Sequence, residues 1–321
     1  MSGAEETELF AADLARAARI LAIRTRREAS GMFAGTYASA FRGGGMEFEE
    51  SRPYFPGDDV RALDWNAMAR TGEPFVKHFR EERDLMLLLA LDVSASMRFR
   101  TAQRSKAEAA AHAAALLAAA AGQAGDQIGF LAFDETIRCE IPPARGPLHT
   151  WRVIQAAATA AQTPRSGTHL AVVLEQLRTR SKHRSVSILL SDFRDPDLLL
   201  PERLSERASG RASTAAQLVA LGRGHDLVSI ALYDPREETL PRAGLLRLAD
   251  PERSGRTLVL NSNSQRARTR YQRACRARRR TVERILRSAN SDVLWLRTDR
   301  DPLRALMHFF RQRASTSGTR L

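Results

Sequence analysis

The chain reads as an α/β protein: a mainly parallel sheet with helices on both faces, preceded by an N-terminal extension and interrupted by one small insertion. Three observations predict this. From Asp84 onward, short apolar runs of strand length alternate with helical stretches, as in repeated strand–helix units. The first run, Leu85 to Val93, is nearly continuous in apolar residues, as a strand covered on both faces should be. The composition, 43% hydrophobic and 27% charged over 321 residues, suits a globular chain and excludes a largely disordered or polytopic membrane one.

Taken in order, residues 1–83 form an extension expected to pack on the core. It begins with a helical stretch ending near Glu28 and continues through a Gly-rich, aromatic-dotted segment with no clear period, punctuated by Gly43 to Gly45 and by Pro56-Gly57-Asp58-Asp59. Residues 84–313 form the α/β domain. After Leu85 to Val93, a helix is predicted near Ser105 to Ala121, so rich in alanine that close packing on the sheet explains it. Gln127 to Phe133 and Thr136 to Ile141 make a hairpin around Asp134-Glu135. Helices follow near Leu148 to Ala161, Leu170 to Arg180 and Ala215 to Gly222, with strands at Ser185 to Ser191, Asp226 to Tyr233 and Asp292 to Leu296. Residues 234–262 are the insertion, with Leu245 to Ala249 paired to Thr257 to Leu260, and 314–321 are expected to be a flexible tail.

Counting removes several chemistries. Cys139 and Cys275 match no metal or redox spacing, and a reducing compartment, the cytoplasm, is the default reading. The acidic start, Met1 to Glu8, leads into no apolar segment, so no secretory signal is expected. The longest uncharged stretch, Ala109 to Gly125, is mostly alanine and reads as a buried helix, not a membrane span. None of the three lysines, Lys77, Lys106 and Lys182, is followed by Ser or Thr, which excludes a Walker A loop. No His-Glu-x-x-His pair and no Gly-x-Ser-x-Gly elbow occurs.

One constellation carries chemistry. Asp92-Val93-Ser94-Ala95-Ser96 leaves the first strand of the α/β domain, placing one carboxylate and two hydroxyls at alternate positions. A hard divalent cation takes such an oxygen set, and strand carboxyl ends are where open α/β sheets bind ligands. Thr168, at the start of the helix from Leu170, and Asp192, at the end of the strand from Ser185, belong to the same rim. Read structurally, Thr168 would only cap its helix and Asp192 only end its strand.

These residues resemble the metal-ion-dependent adhesion site of von Willebrand factor A domains. The flanks narrow the likeness: Arg52-Pro53-Tyr54, Pro56-Gly57-Asp58-Asp59-Val60-Arg61, Asp64-Trp65 and Ala69-Arg70-Thr71 resemble the bacterial "domain of unknown function 58" family. So do Pro235-Arg236-Glu237, Leu240-Pro241, Gly244, Asp250-Pro251-Glu252, Gly255, Arg268 and Tyr271. The resemblance implies a von Willebrand A-like, Rossmann-type fold in which Asp92, Ser94 and Ser96 hold Mg²⁺ or Mn²⁺, with Thr168 and Asp192 acting directly or through water. It further implies that a partner protein supplies an Asp or Glu to the metal, so that the site binds rather than catalyses, and that a MoxR-type AAA+ ATPase is a partner. Relatives often carry N-terminal membrane spans; none is seen here. His169 is the nearest candidate base, and a metal-dependent hydrolase is the minor alternative. Asp58, Asp59, Arg61, Asp64 and Arg70 read best as an ion-paired turn with Trp65 and Phe75 buried, and otherwise as a second site or partner surface.

The net charge of +13 is unevenly placed. Residues 261–321 hold 16 Arg against 4 acidic residues, a net +12, leaving +1 for the rest. Residues 264–289 read as one amphipathic helix with Arg266, Arg270, Arg273, Arg276, Arg280, Arg284 and Arg287 in one stripe, opposite Tyr271, Cys275, Val282, Ile285 and Leu286. Arg278 intrudes on the apolar face, and Arg268 and Arg279 lie off the stripe. The stripe is a candidate surface for an acidic partner or for phosphates, which makes a basic nucleic-acid-binding protein the alternative function. Single strands fit less well, because no aromatic residue stands in the stripe. An Arg-biased chain, 47 of its 50 basic residues, would also present a merely solvated face of this kind.

Overall fold

The computed structural model describes residues 32–41, 46–55, 63–81, 85–162, 167–180, 185–199, 212–249 and 257–317. The helical stretch expected before Glu28, the turn at Asp58, Asp59 and Arg61, and the segment from Asp250 to Gly255 lie outside them.

The chain divides into two units, residues 42–84 and the remainder. Within the smaller one, strands β1 (Met46–Pro53) and β2 (Phe75–Glu81) pair antiparallel with a bulge between Phe48 and Glu50, and a seven-residue helix, α2 (Trp65–Thr71), connects them. The expectation that Trp65 would be buried is corrected: it is 66% exposed. A two-stranded ladder with one short helix has too little surface to enclose an indole. Val76 and Asp64 are buried, the Asp64 amide donating to the carbonyl of Phe75 at 2.8 Å.

Among the described residues, the first helix of the larger unit is α1 (Met32–Ala40). Its sheet comprises β3 (Met86–Asp92), β4 (Gln127–Phe133), β5 (Ile137–Ala144), β6 (Val186–Ser191), β7 (Asp226–Tyr233) and β10 (Asp292–Arg297), in the order β10-β7-β6-β3-β4-β5. All neighbours are parallel except β4 and β5. The expected fold class is thus observed, in the doubly wound order with an antiparallel edge. β5 extends past Ile141 through Pro142 and Pro143, which an edge strand tolerates because one of its sides needs no ladder donors.

Alternation along the strands divides the core in two. Leu87, Leu89 and Leu91, with Ile128, Phe130, Ile188 and Ile230, face α3 (Lys106–Ala124) and α4 (Pro147–Gln162). Leu88, Ala90, Leu131 and Leu189 face α5 (Leu170–Arg180), α6 (Thr214–Gly224) and α8 (Gln265–Ser288). α3 opens with a reciprocal cap between Ser105 and Glu108 and closes on Gly125 in the left-handed region, as helix ends prefer. It is buried over most of its circumference, which alanine permits because no long side chain separates it from its neighbours.

Two helices carried no clear signal in the sequence. α1 and the C-terminal α9 (Pro302–Ser317) join through Phe33, Tyr37, Phe41 and Phe310, whose ring centroids lie 5.0 to 6.3 Å apart. The expected tail therefore starts late, since residues 314–317 continue α9. The insertion holds a short helix, α7 (Pro235–Glu238), and the expected hairpin of β8 (Leu245–Ala249) and β9 (Thr257–Asn261). Among the described residues no helix is long and apolar enough to cross a membrane.

Candidate functional site

In a doubly wound sheet, connections leave the two central strands toward opposite faces and open a crevice at their carboxyl ends. Here those strands are β3 and β6, and they end at Asp92 and at Ser191-Asp192. Four parallel strands reach an aspartate at this rim: Asp92 after β3, Asp134 after β4, Asp192 after β6 and Asp234 after β7, all buried.

Their partners differ. Asp134 accepts two hydrogen bonds from Nε of Arg138, at 2.8 and 2.7 Å. Asp234 caps α7 and accepts from the amides of Thr101 and Arg236, both at 2.9 Å, and from the hydroxyls of Thr101 and Thr298. Asp192 meets the ammonium of Lys106 at 2.5 Å, with Nε of Arg194 at 3.6 Å. Asp92 accepts from the amide of Ser94 at 2.9 Å, from the Ser94 hydroxyl and from the hydroxyl of Ser191 at 2.5 Å, and among the described residues no cation pairs with it.

The electrostatics follow. Burial pushes the Asp92 carboxyl up to about 7, and the Asp192 charge adds to this against the hydrogen bonds from Ser191 and Ser94. Burial also raises Asp192, but Lys106 and Arg194 outweigh it and hold that carboxyl below its ordinary value.

Of the predicted ligands, the structure gathers Asp92, Ser94, Ser96 and Asp192. The Ser94 and Ser96 hydroxyls stand 3.3 Å apart, both buried, Ser94 just before and Ser96 within the short 3₁₀ segment Ala95–Arg98 that follows β3, and Ser96 also hydrogen-bonds to Asp192. Thr168 is buried on the same rim, in the loop before α5. That loop is pinned on both sides, the His169 amide donating to the Asp134 carbonyl at 3.0 Å and the Leu170 amide to Asp195 Oδ2 at 2.7 Å. A buried carboxylate without a cationic partner, beside two convergent hydroxyls, fits a hard divalent cation.

His169 meets a different pair of carboxylates: its Nδ1 lies 3.8 Å from Asp197 Oδ2, and with Asp195 the three offer ligand atoms within 4.8 Å of one another. Both Asp195 oxygens already accept backbone amides.

Sequence reasoning missed Lys106, Arg194 and Glu237. Lys106, on the first turn of α3, is fully buried and bridges Asp192 to Glu237 Oε1 at 2.7 Å, and Arg194 reaches the same oxygen at 3.0 Å. The turn after β6 is held by further bonds, from the Phe193 amide to Ser191 Oγ and from Arg278 to the Phe193 carbonyl, at 2.9 and 2.8 Å. Phe193 itself sits at a φ of 54°, a conformation a bulky residue adopts only where its surroundings impose it. The available signal for Lys106 was rarity, since lysine occurs three times in the chain.

The seven stripe arginines, Arg266, Arg270, Arg273, Arg276, Arg280, Arg284 and Arg287, are all exposed along α8, while Val282 and Leu286 are buried. Arg287 pairs with Glu283 one turn earlier at 2.8 Å. The arginines off the stripe have structural partners. Arg268 donates to the carbonyls of Ser262 and Asn263, and Arg279 pairs with Glu238 and stacks against Tyr233 and Trp295 at 4.9 and 4.3 Å from their ring centroids.

Comparison with known proteins gives a consistent family. An uncharacterized protein of Mycobacterium tuberculosis and one of Mycobacterium bovis are each 32% identical over 309 residues, spanning 95% of this chain and 92% of theirs. Among solved structures, an aerotolerance-related membrane protein from Bacteroides fragilis is 14% identical, covers 72% of this chain and 99% of its own, and has a TM-score of 0.47. A von Willebrand factor type A protein from Catenulispora acidiphila, also 14% identical, covers 76% and 44% with a TM-score of 0.41. The profile described as "Protein of unknown function DUF58" matches residues 50–281, and with the mycobacterial relatives aligned along nearly its whole length, this chain belongs to the DUF58 family.

Proposed function

We propose that the chain is a metal-dependent protein-interaction module of the von Willebrand A type, in which Asp92, Ser94 and Ser96 hold Mg²⁺ or Mn²⁺ and a partner protein supplies the remaining carboxylate. The observation that carries this is the state of Asp92: alone among the four rim aspartates it has, among the described residues, neither a cationic partner nor a helix to cap, and it lies at the sheet's switch point. A bound divalent ion would supply the missing positive charge and a coordination position for an incoming carboxylate. Lys106 already satisfies Asp192, so Asp192 acts through its bond to Ser96 and through water, orienting the hydroxyl ligands. Thr168 contributes from the pinned loop.

The role is binding, as an adaptor or assembly factor in the cytoplasm. A MoxR-type AAA+ ATPase as partner rests on the sequence resemblance. The test is calorimetric titration of the full chain with Mn²⁺, together with capture of a purified MoxR-type ATPase with and without chelator. Asp92→Asn should abolish metal binding and chelator-sensitive capture while the unfolding transition is retained. Metal binding that survives this substitution would overturn the site, and capture indifferent to chelator would remove the metal from the interaction. Turnover of a hydrolysable substrate that tracks metal loading would turn the reading toward catalysis.

A second reading draws on the exposure of the arginine row: a basic nucleic-acid-binding protein, with affinity falling steeply with salt and weakened by Arg270→Ala, Arg273→Ala and Arg280→Ala. No mobility shift with DNA or RNA at low salt would dispose of it.

A further inference from the structure

A cleft of about 170 Å³ opens beside Asp192, between the turn after β6, the short helix α7, the inner face of α8 and the ends of β7 and β10. One side is apolar and aromatic, formed by Leu232, Tyr233, Val282 and Trp295. The other carries charge of both signs, and its balance is the informative feature. The three lining carboxylates are each answered: Asp192 by Lys106, Glu237 by Lys106 and Arg194, and Glu238 by Arg279. Two guanidiniums are left over. Among the described residues neither Arg276 nor Arg278 is ion-paired; Arg278 donates one bond to the Phe193 carbonyl, and Arg276 lies exposed at the mouth. Trp295 adds a buried indole N–H without a hydrogen-bond partner among the described residues, an arrangement that costs free energy unless an acceptor arrives.

We propose that this cleft binds the dianionic phosphoryl group of a small organic phosphate, with Arg276 and Arg278 on the oxygens and the planar or apolar body of the ligand against the wall of Leu232, Tyr233, Val282 and Trp295, beside the Arg279 guanidinium that stacks on the two rings. Two unmatched guanidiniums call for two negative charges, and their forked donors suit a group with three acceptor oxygens better than a single carboxylate. Burial and the charge of Arg194 both disfavour the charged form of Arg278, a penalty that a bound dianion removes. The cleft is independent of the metal reading, since none of its unmatched groups is a proposed metal ligand.

The test is isothermal titration calorimetry of the full chain, in low salt and with chelator present, using phenyl phosphate, inorganic phosphate and benzoate. Phenyl phosphate should bind most tightly, about tenfold or more over benzoate. Arg278→Gln should weaken it by about tenfold, Trp295→Phe by several-fold through loss of the N–H and of part of the ring surface, and Arg152→Gln, exposed on α4 away from the cleft, should leave it unchanged. If Arg278→Gln does not fold, Arg276→Gln and Trp295→Phe carry the comparison. Absence of phenyl phosphate binding at millimolar concentration overturns the proposal. So does benzoate or inorganic phosphate binding as tightly, or affinity untouched by the cleft substitutions. Because chelator is present throughout, failure here leaves the metal site standing, and loss of the metal site leaves this one.

Discussion

Lys106 Nζ lies 2.5 Å from Asp192 Oδ2, with the ammonium wholly closed off from solvent. The pair links the first turn of α3 to the end of β6, and Glu237 on α7 accepts from the same ammonium. Three segments far apart in the chain are thereby tied at the rim that carries Asp92. A buried ion pair adds little over a well-packed apolar one, but removing one partner strands the others.

Lys106→Ala should therefore destabilise the protein by about 3 to 5 kcal/mol, because buried Asp192 and partly buried Glu237 lose the ammonium they share and keep only the half-exposed Arg194. Lys106→Arg should rescue this only in part, since a planar fork does not occupy the place of a compact ammonium. Chemical denaturation midpoints of the two variants against wild type check it, and equal stability of all three would show that Asp192 and Glu237 find other partners.

Gly222 on α6 approaches the end of α8 so closely that an added Cβ would stand 1.8 Å from the Ala289 carbonyl oxygen. Backbone cannot swing aside as a side chain can. Gly222→Ala should cost about 1 to 3 kcal/mol, the range for overpacking, whereas Gly224→Ala, with open space around it, should be neutral or slightly stabilising. Thermal unfolding of the pair separates steric contact from helix propensity.

Phe310 is fully buried and meets Phe33, Tyr37 and Phe41 of the N-terminal segment. Phe310→Ala should cost about 3 to 5 kcal/mol. It should also raise amide exchange across residues 32–41 more than in the sheet; uniform exchange would show that α1 does not depend on this ring cluster.

Burial lowers the pKa of His225, which sits between α6 and β7 with Nδ1 3.2 Å from the Ser185 hydroxyl. A histidine depressed in the folded state binds more protons when unfolded, so its contribution is complete above about pH 6.5 and is lost as pH falls below that value. The melting temperature of His225→Gln should vary less than that of wild type over this acidic window. An identical pH profile would place the dependence elsewhere.

The elements legible in the sequence were those with a strong local pattern. β3 announced itself as a nearly continuous apolar run, β6 as a short apolar run interrupted by Ser187, α3 as an alanine tract, and the β8–β9 hairpin as two short runs around a Pro- and Gly-punctuated gap. α1 and α9 were not legible, because their aromatic residues make sense only when the 276 residues of intervening chain bring Phe33 and Phe310 together. Trp65 misled for a related reason: aromatic character predicts burial only where enough surrounding structure exists to cover the ring.

For the candidate site the division is similar. The spacing Asp92-x-Ser94-x-Ser96 is local, so the sequence by itself determined that three oxygen donors leave one strand end together, and the placement of Asp192 at the next strand end followed from the same strand pattern. Only the tertiary structure decided which carboxylate is compensated. Lys106 and Arg194 come from separate connections and converge at Asp192, with Glu237 of a third connection paired to both, while among the described residues nothing cationic converges at Asp92. Charge balance in a buried site is set by distances of a few ångströms in space, over which Coulomb energies change steeply, and sequence separation carries no record of those distances.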